Sequence, residues 1–261
     1  MTSTNDLKIK ATFLGTGTSQ GVPVVACDCD VCNSTDSKDK RLRSSLLLNI
    51  NQQNLVIDAG PDFRQQMLRE KVMTLRAILL THEHVDHIFG LDDIRSYNWV
   101  QKQTMEIFAE NRVQEAIKRI FNYVFADYKY PGIPKMRLKD VTDTPFAIDG
   151  IEIVPIRCFH HKLPVFGYRI GDLTYITDSN FIPEEELVKV YGTKVLVINA
   201  LRKEKHISHF SLNEALEIIE KVKPEKAYLT HVSHTFGLHS EIQKELPENV
   251  FMAYDGLSIE I

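Results

Sequence analysis

No stretch of this chain approaches the ~18 consecutive apolar residues that a bilayer-spanning helix needs, and its start, Met1-Thr-Ser-Thr-Asn-Asp-Leu-Lys-Ile-Lys10, lacks the charged lead and apolar core of an export signal. A soluble, cytoplasmic protein is the expectation. A surplus of either charge is also missing: 31 basic residues face 35 acidic ones, for a net charge of −4. Proteins that coat nucleic acid or anionic membranes rely on a strong positive field, so that work is disfavoured as the main one. Cysteine is scarce, with four in 261 residues. Three of them, Cys27, Cys29 and Cys32, stand too close together for a disulfide framework, and metal binding is the better reading of their spacing. Repeats, low-complexity tracts and Pro/Gly/Ser-rich linkers are absent, so nothing in the composition marks a domain boundary. The Gly-rich stretch Gly15-Thr-Gly-Thr-Ser-Gln-Gly-Val-Pro23 has no lysine after its glycines and fits neither a P-loop nor a dinucleotide fingerprint.

What is present is an ordinary globular balance of 43% apolar and 25% charged residues, and the length suits one α/β unit. Short β-rich apolar runs recur at Lys10–Leu14, Ser45–Asn49, Leu55–Asp58, Ala77–Leu80, Ile151–Val154, Leu173–Ile176, Val195–Ile198 and Ala227–Leu229. Helical spacing is clearest in two places. Val113, Ala116, Ile117, Ile120, Phe121 and Val124 predict one helix face capped by Asn111, and Ser211 with Glu214 forms a capping-box pattern before Leu212, Ala215, Leu216, Ile219 and Val222. Such stripes mean core. The mixture suggests two sheets packed face to face with helices outside.

Chemistry is concentrated in Thr81-His82-Glu83-His84-Val85-Asp86-His87, directly after the apolar run Ala77 to Leu80. Strand ends present side chains in a fixed frame, and His82 and His84, two apart, project alike if the strand pitch persists. Asp86 and His87 then turn back with a following helix. Imidazole nitrogens combined with a carboxylate oxygen suit zinc, manganese or iron in a two-metal site.

This motif resembles the signature of the metallo-β-lactamase superfamily, which implies a four-layer αββα sandwich, here a single domain over residues 1–261, with metals at one edge of the two sheets. Further elements match in order. Leu55-Val-Ile-Asp58-Ala-Gly60 resembles the family's early acidic residue, Tyr175-Ile-Thr-Asp178 its bridging aspartate and Leu229-Thr-His231 its late histidine. Cys158-Phe-His160-His161-Lys-Leu-Pro offers two adjacent candidates for the central histidine. The His-x-Lys-Leu-Pro pattern favours His160, whereas counting back from Phe166-Gly-Tyr168 favours His161; we take His160 as the ligand. Cys158 itself, in an apolar strand, reads as core.

Within the superfamily, Gly15 to Pro23 followed by Cys27-Asp-Cys29-Asp-Val-Cys32 resembles the PhnP-type phosphodiesterases, in which a Cys-rich zinc knuckle, here 27–32, follows a Gly-rich loop. The histidine three residues after the late one would be its fourth ligand, and His231-Val-Ser-His234 supplies it. Three thiolates leave a tetrahedral zinc incomplete and a distant imidazole would complete it, which makes Cys27, Cys29, Cys32 and His234 a structural zinc site. The competing reading is three reactive or buried thiols.

The resemblance implies that His82, His84 and His160 hold one divalent ion (zinc, manganese or iron), that Asp86, His87 and His231 hold the other, and that Asp178 bridges. Two such ions ~3.5–4 Å apart would lower the pKa of a shared water and clamp phosphoryl oxygens. His209, in His206-Ile-Ser-His209-Phe-Ser211, resembles the family's non-ligand catalytic histidine, and its near-neutral unperturbed pKa suits a general acid; a packing or capping role is the alternative. Asp58 is expected to orient a ligand imidazole. His206 reads as surface, and His239 and Arg64 are not placed by sequence. The leading expectation is hydrolysis of small phosphodiesters of the cyclic nucleotide or cyclic ribose phosphate type. Transfer-RNA 3′ maturation, carbonyl hydrolysis and a metal-stabilised binding protein without turnover are the alternatives. The basic, aromatic segment Tyr128–Lys139 is expected as a solvated loop beside the pocket, nucleic acid is not the favoured partner, and a homodimer is expected from the family.

Overall fold

The alternation of apolar side chains along the strands divides the interior into layers. In Val195–Asn199 every residue is buried. Val195 and Val197 face one apolar cluster and Leu196 and Ile198 another, as a period of two requires when both faces of a sheet are covered. Three such clusters exist among the described residues. One lies between the sheets and joins Phe13, Leu48 and Ile57 to Phe166, Tyr175 and Val197, while the other two lie between each sheet and its own helices. Burying one such side chain contributes about 1.5–3 kcal/mol, whereas an exposed ion pair contributes about 0–1 kcal/mol, so these cores rather than the surface charges hold the layers together.

The computed structural model describes residues 7–128 and 130–261. The first six residues, on which the expectation of no export signal largely rests, and Lys129 of the Tyr128–Lys139 segment lie outside the described residues. Among those described, the strands are β1 Ile9–Gly15, β2 Ser45–Ile50, β3 Gln53–Ile57, β4 Ala77–Leu79, β5 Met105–Ala109, β6 Met136–Asp140, β7 Phe146–Ile148, β8 Ile151–His160, β9 Leu163–Ile170, β10 Leu173–Ile176, β11 Val195–Asn199, β12 Lys226–Thr230, β13 Val250–Met252 and β14 Ser258–Glu260. The helices are α1 Asp30–Asn33, α2 Phe63–Arg69, α3 Val85–Ile88, α4 Arg95–Gln101, α5 Asn111–Ile120, α6 Asn122–Phe125, α7 Glu184–Leu187, α8 Leu212–Val222 and α9 His239–Glu245. No described helix is long and apolar enough to cross a membrane.

Two seven-stranded sheets result, in the orders β14-β1-β2-β3-β4-β5-β6 and β13-β12-β11-β10-β9-β8-β7. Each is antiparallel from one edge up to β3 or β10, and parallel from there to β6 or β13. With helices on both outer faces this is the expected αββα sandwich.

Several local expectations need correction. Asn111 is the first helical residue of α5 rather than its cap: Glu110 precedes it, with no side-chain capping bond. That helix stops at Ile120 because Phe121 leaves helical geometry (φ −102, ψ 43), so Val124 belongs to the separate α6. Strand pitch does not persist to His84, since β4 ends at Leu79 and His84 is the extended residue preceding α3. Nor is Tyr128–Lys139 a loop throughout. Its end forms the edge strand β6, and Tyr130 to Met136 line a groove of about 1000 Å³ with Trp99, a groove whose walls include none of the expected ligands. The capping box is present: Ser211 accepts from the Glu214 amide, and the Glu214 carboxylate accepts from the Ser211 amide.

Candidate metal centre

Parallel strands that all point the same way deliver the residues following them to one edge of a sheet, the usual location of α/β sites. Asp58 follows β3, His82 to His87 follow β4, Asp178 follows β10, His209 lies between β11 and α8, and His231 follows β12. His160 ends β8 beside them. Three of these residues adopt left-handed backbone, Asp58 at φ 63, Asp178 at φ 54 and His231 at φ 56. Non-glycine residues enter that region at a cost, which the surrounding fold offsets at these three positions.

The two sheets meet at this edge. Phe166 of β9 donates its amide to the Thr81 carbonyl at 3.0 Å, and the Tyr168 hydroxyl donates to the Leu80 carbonyl at 2.6 Å. The loop carrying His82 and His84 is thereby fixed to the opposite sheet.

Around Asp178 the side chains converge. Its carboxylate shares triplets of ligand atoms, all within 4.8 Å of one another, with His82 and His87, with His84 and His160, and with His209 and His231. Asp178 lies 3.7 Å from His82 Nε2, 3.3 Å from His87 Nε2 and 2.8 Å from His231 Nδ1, and Asp86 is 3.2 Å from His87 Nε2. The remaining nitrogen of most rings has a partner elsewhere. His87 Nδ1 donates to Asp58 at 2.7 Å, His160 Nδ1 to the Ser208 carbonyl at 2.7 Å, and His231 Nε2 faces the Thr18 hydroxyl at 3.1 Å. The Thr81 hydroxyl donates to Asp58, which leaves its oxygen to accept from His82 Nδ1 at 3.0 Å. Meanwhile His82 Nε2, His87 Nε2 and His231 Nδ1 are buried and make no hydrogen bond. Rings anchored by one nitrogen with the other orphaned toward a shared carboxylate are what divalent metal binding requires, and the fold implies such ions.

Electrostatics fit a cation-poor, anion-rich cluster. Burial opposes ionisation of both Asp178 and His87, yet the His231 and His87 rings hold Asp178 well below the usual carboxylate range, and Asp178, Asp86 and Asp58 raise His87 well above its ordinary value. Burial, reinforced by His87, pushes His82 well down. His209 departs from expectation: burial lowers it to about 3, against the pull of Asp178, so its imidazole is neutral at neutral pH in the free protein. Its Nδ1 is buried and makes no hydrogen bond.

Of the two adjacent candidates, the structure brings His160 into the cluster. His161 sits at φ 58 in the turn after β8, exposed, with its amide donating to Asn180. His206, read as surface, is half-buried and lies 5.2 Å from the His209 ring. His239 lies elsewhere, buried against Arg41 and Asp39, and Arg64 borders a cleft near α2 and α4. Cys158 is fully buried. Thr18, Thr81 and Ser208, which hold ligand rings, carried no signal beyond their neighbourhood to the motifs.

A second cluster gathers Cys27, Cys29, Cys32 and His234. His234 Nδ1 lies 3.3 Å from Cys27 Sγ and 3.4 Å from Cys29 Sγ. Hydrogen bonding from the Cys32 amide and His234 lowers Cys29 to about 6, whereas burial raises Cys32 to about 11. The Gly-rich loop runs between the two clusters: Val232 donates to the Thr16 carbonyl at 2.9 Å and Thr18 donates to the Val232 carbonyl at 3.1 Å.

Residues 53–232 match the family model described as the beta-lactamase superfamily domain. A solved diphosphatase of the PhnP family superposes with a TM-score of 0.91 at 35% identity, covering 97% of each chain. An octanoyltransferase of Porphyromonas gingivalis is 40% identical over 252 residues, which is 95% of this chain and 51% of that protein. A ribonuclease Z of Nostoc is 29% identical over 172 residues, 63% of this chain and 47% of its own. The chain thus spans about half the length of the curated relatives it matches.

Proposed function

Because the chain belongs to the beta-lactamase superfamily, close to the PhnP family, we propose that it is a metal-dependent hydrolase of phosphorus–oxygen bonds, acting on small phosphodiesters. The observation that carries this reading is the set of anchored rings whose free nitrogens converge on Asp178. On this reading His82, His84 and His160 would hold one divalent ion and Asp86, His87 and His231 a second, with the Asp178 carboxylate in reach of both sets. Bound ions of this kind supply positive charge to phosphoryl oxygens and make a water acidic enough to attack at neutral pH.

The chain's own side chains do the rest. Asp58 and Thr81 fix the rings of His87 and His82, Ser208 fixes His160 and Thr18 fixes His231, so the donors need no rearrangement to act. His209 faces the same cluster and serves the leaving oxygen. Its buried, neutral imidazole is placed to hydrogen-bond the leaving oxygen as the ester P–O bond breaks. Cys27, Cys29, Cys32 and His234 hold a structural zinc that pins the N-terminal loop to the segment carrying His231.

The test is the initial rate of manganese-loaded protein on a 2′,3′-cyclic nucleotide, a linear phosphodiester and a diphosphate diester, with His209→Ala in parallel. Turnover of any one by the wild type and little by the variant supports the reading. Inactivity of metal-loaded wild type on all three overturns it.

A second reading, RNA 3′ processing, takes support from the relatives named ribonuclease Z and from the Trp99 and Tyr130 groove beside β6. The net charge of −4 counts against it, and a salt-dependent gel shift with precursor transfer RNA discriminates. Carbonyl hydrolysis draws on the relative named octanoyltransferase, and an octanoyl thioester in the same rate assay decides it.

A further inference from the structure

Glu83 stands between His82 and His84, and its carboxylate is held by Arg112 from the first turn of α5. The same guanidinium, through its other terminal nitrogen, donates to the carbonyl of Pro164 in β9. Pro164 pairs with Phe159 and Leu163 with His160 in the β8–β9 register, so that carbonyl belongs to the hairpin whose end bears His160. One side chain therefore ties the loop of His82 and His84, in the first sheet, to the hairpin of His160, in the second. Both side chains are half-buried, and within the contact Arg112 Nε and Glu83 Oε2 are buried without a hydrogen bond. The planar guanidinium fork suits this double duty, since its two ends reach different acceptors at a fixed angle.

We propose that Arg112 is a positioning residue that sets the His82, His84 and His160 half of the centre, by fixing the distance between the two chain segments that carry those histidines. The proposal rests on the reading that these three hold one of two ions. The Arg112 guanidinium bonds Glu83, the Pro164 carbonyl and, at 3.5 Å, the Glu110 carboxylate, and none of the histidines. Its effect passes through Glu83 and the Pro164 carbonyl, and it has no counterpart contact to Asp86, His87 or His231.

Consequently Arg112→Ala should weaken one ion and spare the others. The experiment loads wild-type protein, Arg112→Ala, Arg112→Lys and Glu83→Gln with cobalt(II), titrates each against a competing chelator and follows the visible spectrum. The thiolate-to-cobalt band of the Cys27, Cys29, Cys32 and His234 cluster serves as an internal reference. Expected for Arg112→Ala is one equivalent at the His/Asp centre released at about 10–100-fold lower chelator, the range for residues that orient metal ligands, with the thiolate band unchanged. Arg112→Lys, which keeps the charge but reaches one acceptor at a time, should recover part of the loss, and Glu83→Gln should show a smaller shift of the same equivalent.

If Arg112→Ala binds both ions at the centre with wild-type affinity, the proposal is overturned. It is equally overturned if all sites, the thiolate cluster included, weaken together, since that marks general destabilisation. Should Arg112→Ala not fold, Glu83→Gln decides by the same criterion. Wild-type protein that takes up cobalt only at the thiolates would instead bring down the two-ion reading, and the clamp with it.

Discussion

Among the described residues, Asp178 is the carboxylate that lies within reach of His82, His87, His84, His160, His209 and His231 together. Replacing it with alanine removes the shared anion and leaves His87 facing fewer negative charges, so Asp178→Ala is expected to lose both metal and turnover. His209 differs in kind. Its ring is tucked against His160 and His231 at 4.5 and 4.9 Å, but it is assigned no ion, so His209→Ala should keep full metal content by elemental analysis while turnover falls about 10²–10⁴-fold. Loss of metal in that variant would move His209 into the ligand set. Gly60 is a further sensitive position. A Cβ there would come 1.9 Å from the Asp86 carbonyl oxygen, so Gly60→Ala must displace the backbone that carries Asp86 and His87. The expected outcome is a loss of about 1–3 kcal/mol in denaturant unfolding, accompanied by reduced metal retention on dialysis.

Elements show how much of this is local chemistry. Helix α8 begins two residues after Phe210, its cap is the Ser211–Glu214 box, and Ala215, Ile219 and Val222 bury its inner face. Ser211→Ala should therefore cost about 1 kcal/mol, seen as a lower midpoint in thermal unfolding. Turnover should stay close to wild type, because the segment bearing His209 is held independently: Phe210 donates to the Ser179 carbonyl and Leu201 to the Phe210 carbonyl. The capping box, the apolar stripe and the strand alternation are all carried by windows of a few residues, which is why they were legible in the sequence. The end of α5 was not. Phe121 and Val124 continue the helical spacing, yet Phe121 leaves the helix, and packing of both residues into the core of the first sheet overrides the pattern. Strands β7, β13 and β14, three residues each, were not legible and exist because a neighbour pairs with them, whereas the equally short β4 is legible from the continuous apolar run Ala77–Leu80.

At the scale of the whole molecule, the two ends of the chain are joined through Asp255. Its carboxylate accepts from the Thr16 hydroxyl and the Leu42 amide, each at 2.7 Å, while buried Arg41 donates to Thr16 and to the Ala253 carbonyl. Burial raises Asp255 to about 6, against these hydrogen bonds. A folded value above the unfolded one means that the folded protein binds the proton more tightly. The stabilisation is thus fully present below the unfolded value of about 4 and is lost as pH rises through about 6, a change on the order of 3 kcal/mol. Denaturant unfolding of the wild type and of Asp255→Asn across pH 4 to 7 isolates it, since the histidines titrate in both. The wild type should lose stability relative to the variant over that window. A flat difference would show that Arg41 and the hydrogen bonds keep the carboxylate ionised throughout.

By itself the sequence determined the order of the chemistry. The His-x-His-x-Asp-His run, the acidic residues at the ends of apolar strands and the Cys-x-Cys-x-x-Cys spacing are short patterns whose order is retained along the chain, and the αββα class came from the family resemblance those motifs carry. Tertiary structure decided which of these groups meet. That His160 rather than His161 enters the cluster depends on where the β8–β9 turn begins. That Thr18 holds His231 depends on an approach between residues 213 apart in sequence. That Arg112 links Glu83 to Pro164 depends on two sheets closing against each other at one edge. No window of sequence contains both partners of such contacts. They are set by the packing of the inter-sheet core, whose free energy is spread over many apolar side chains and is not written at any single position.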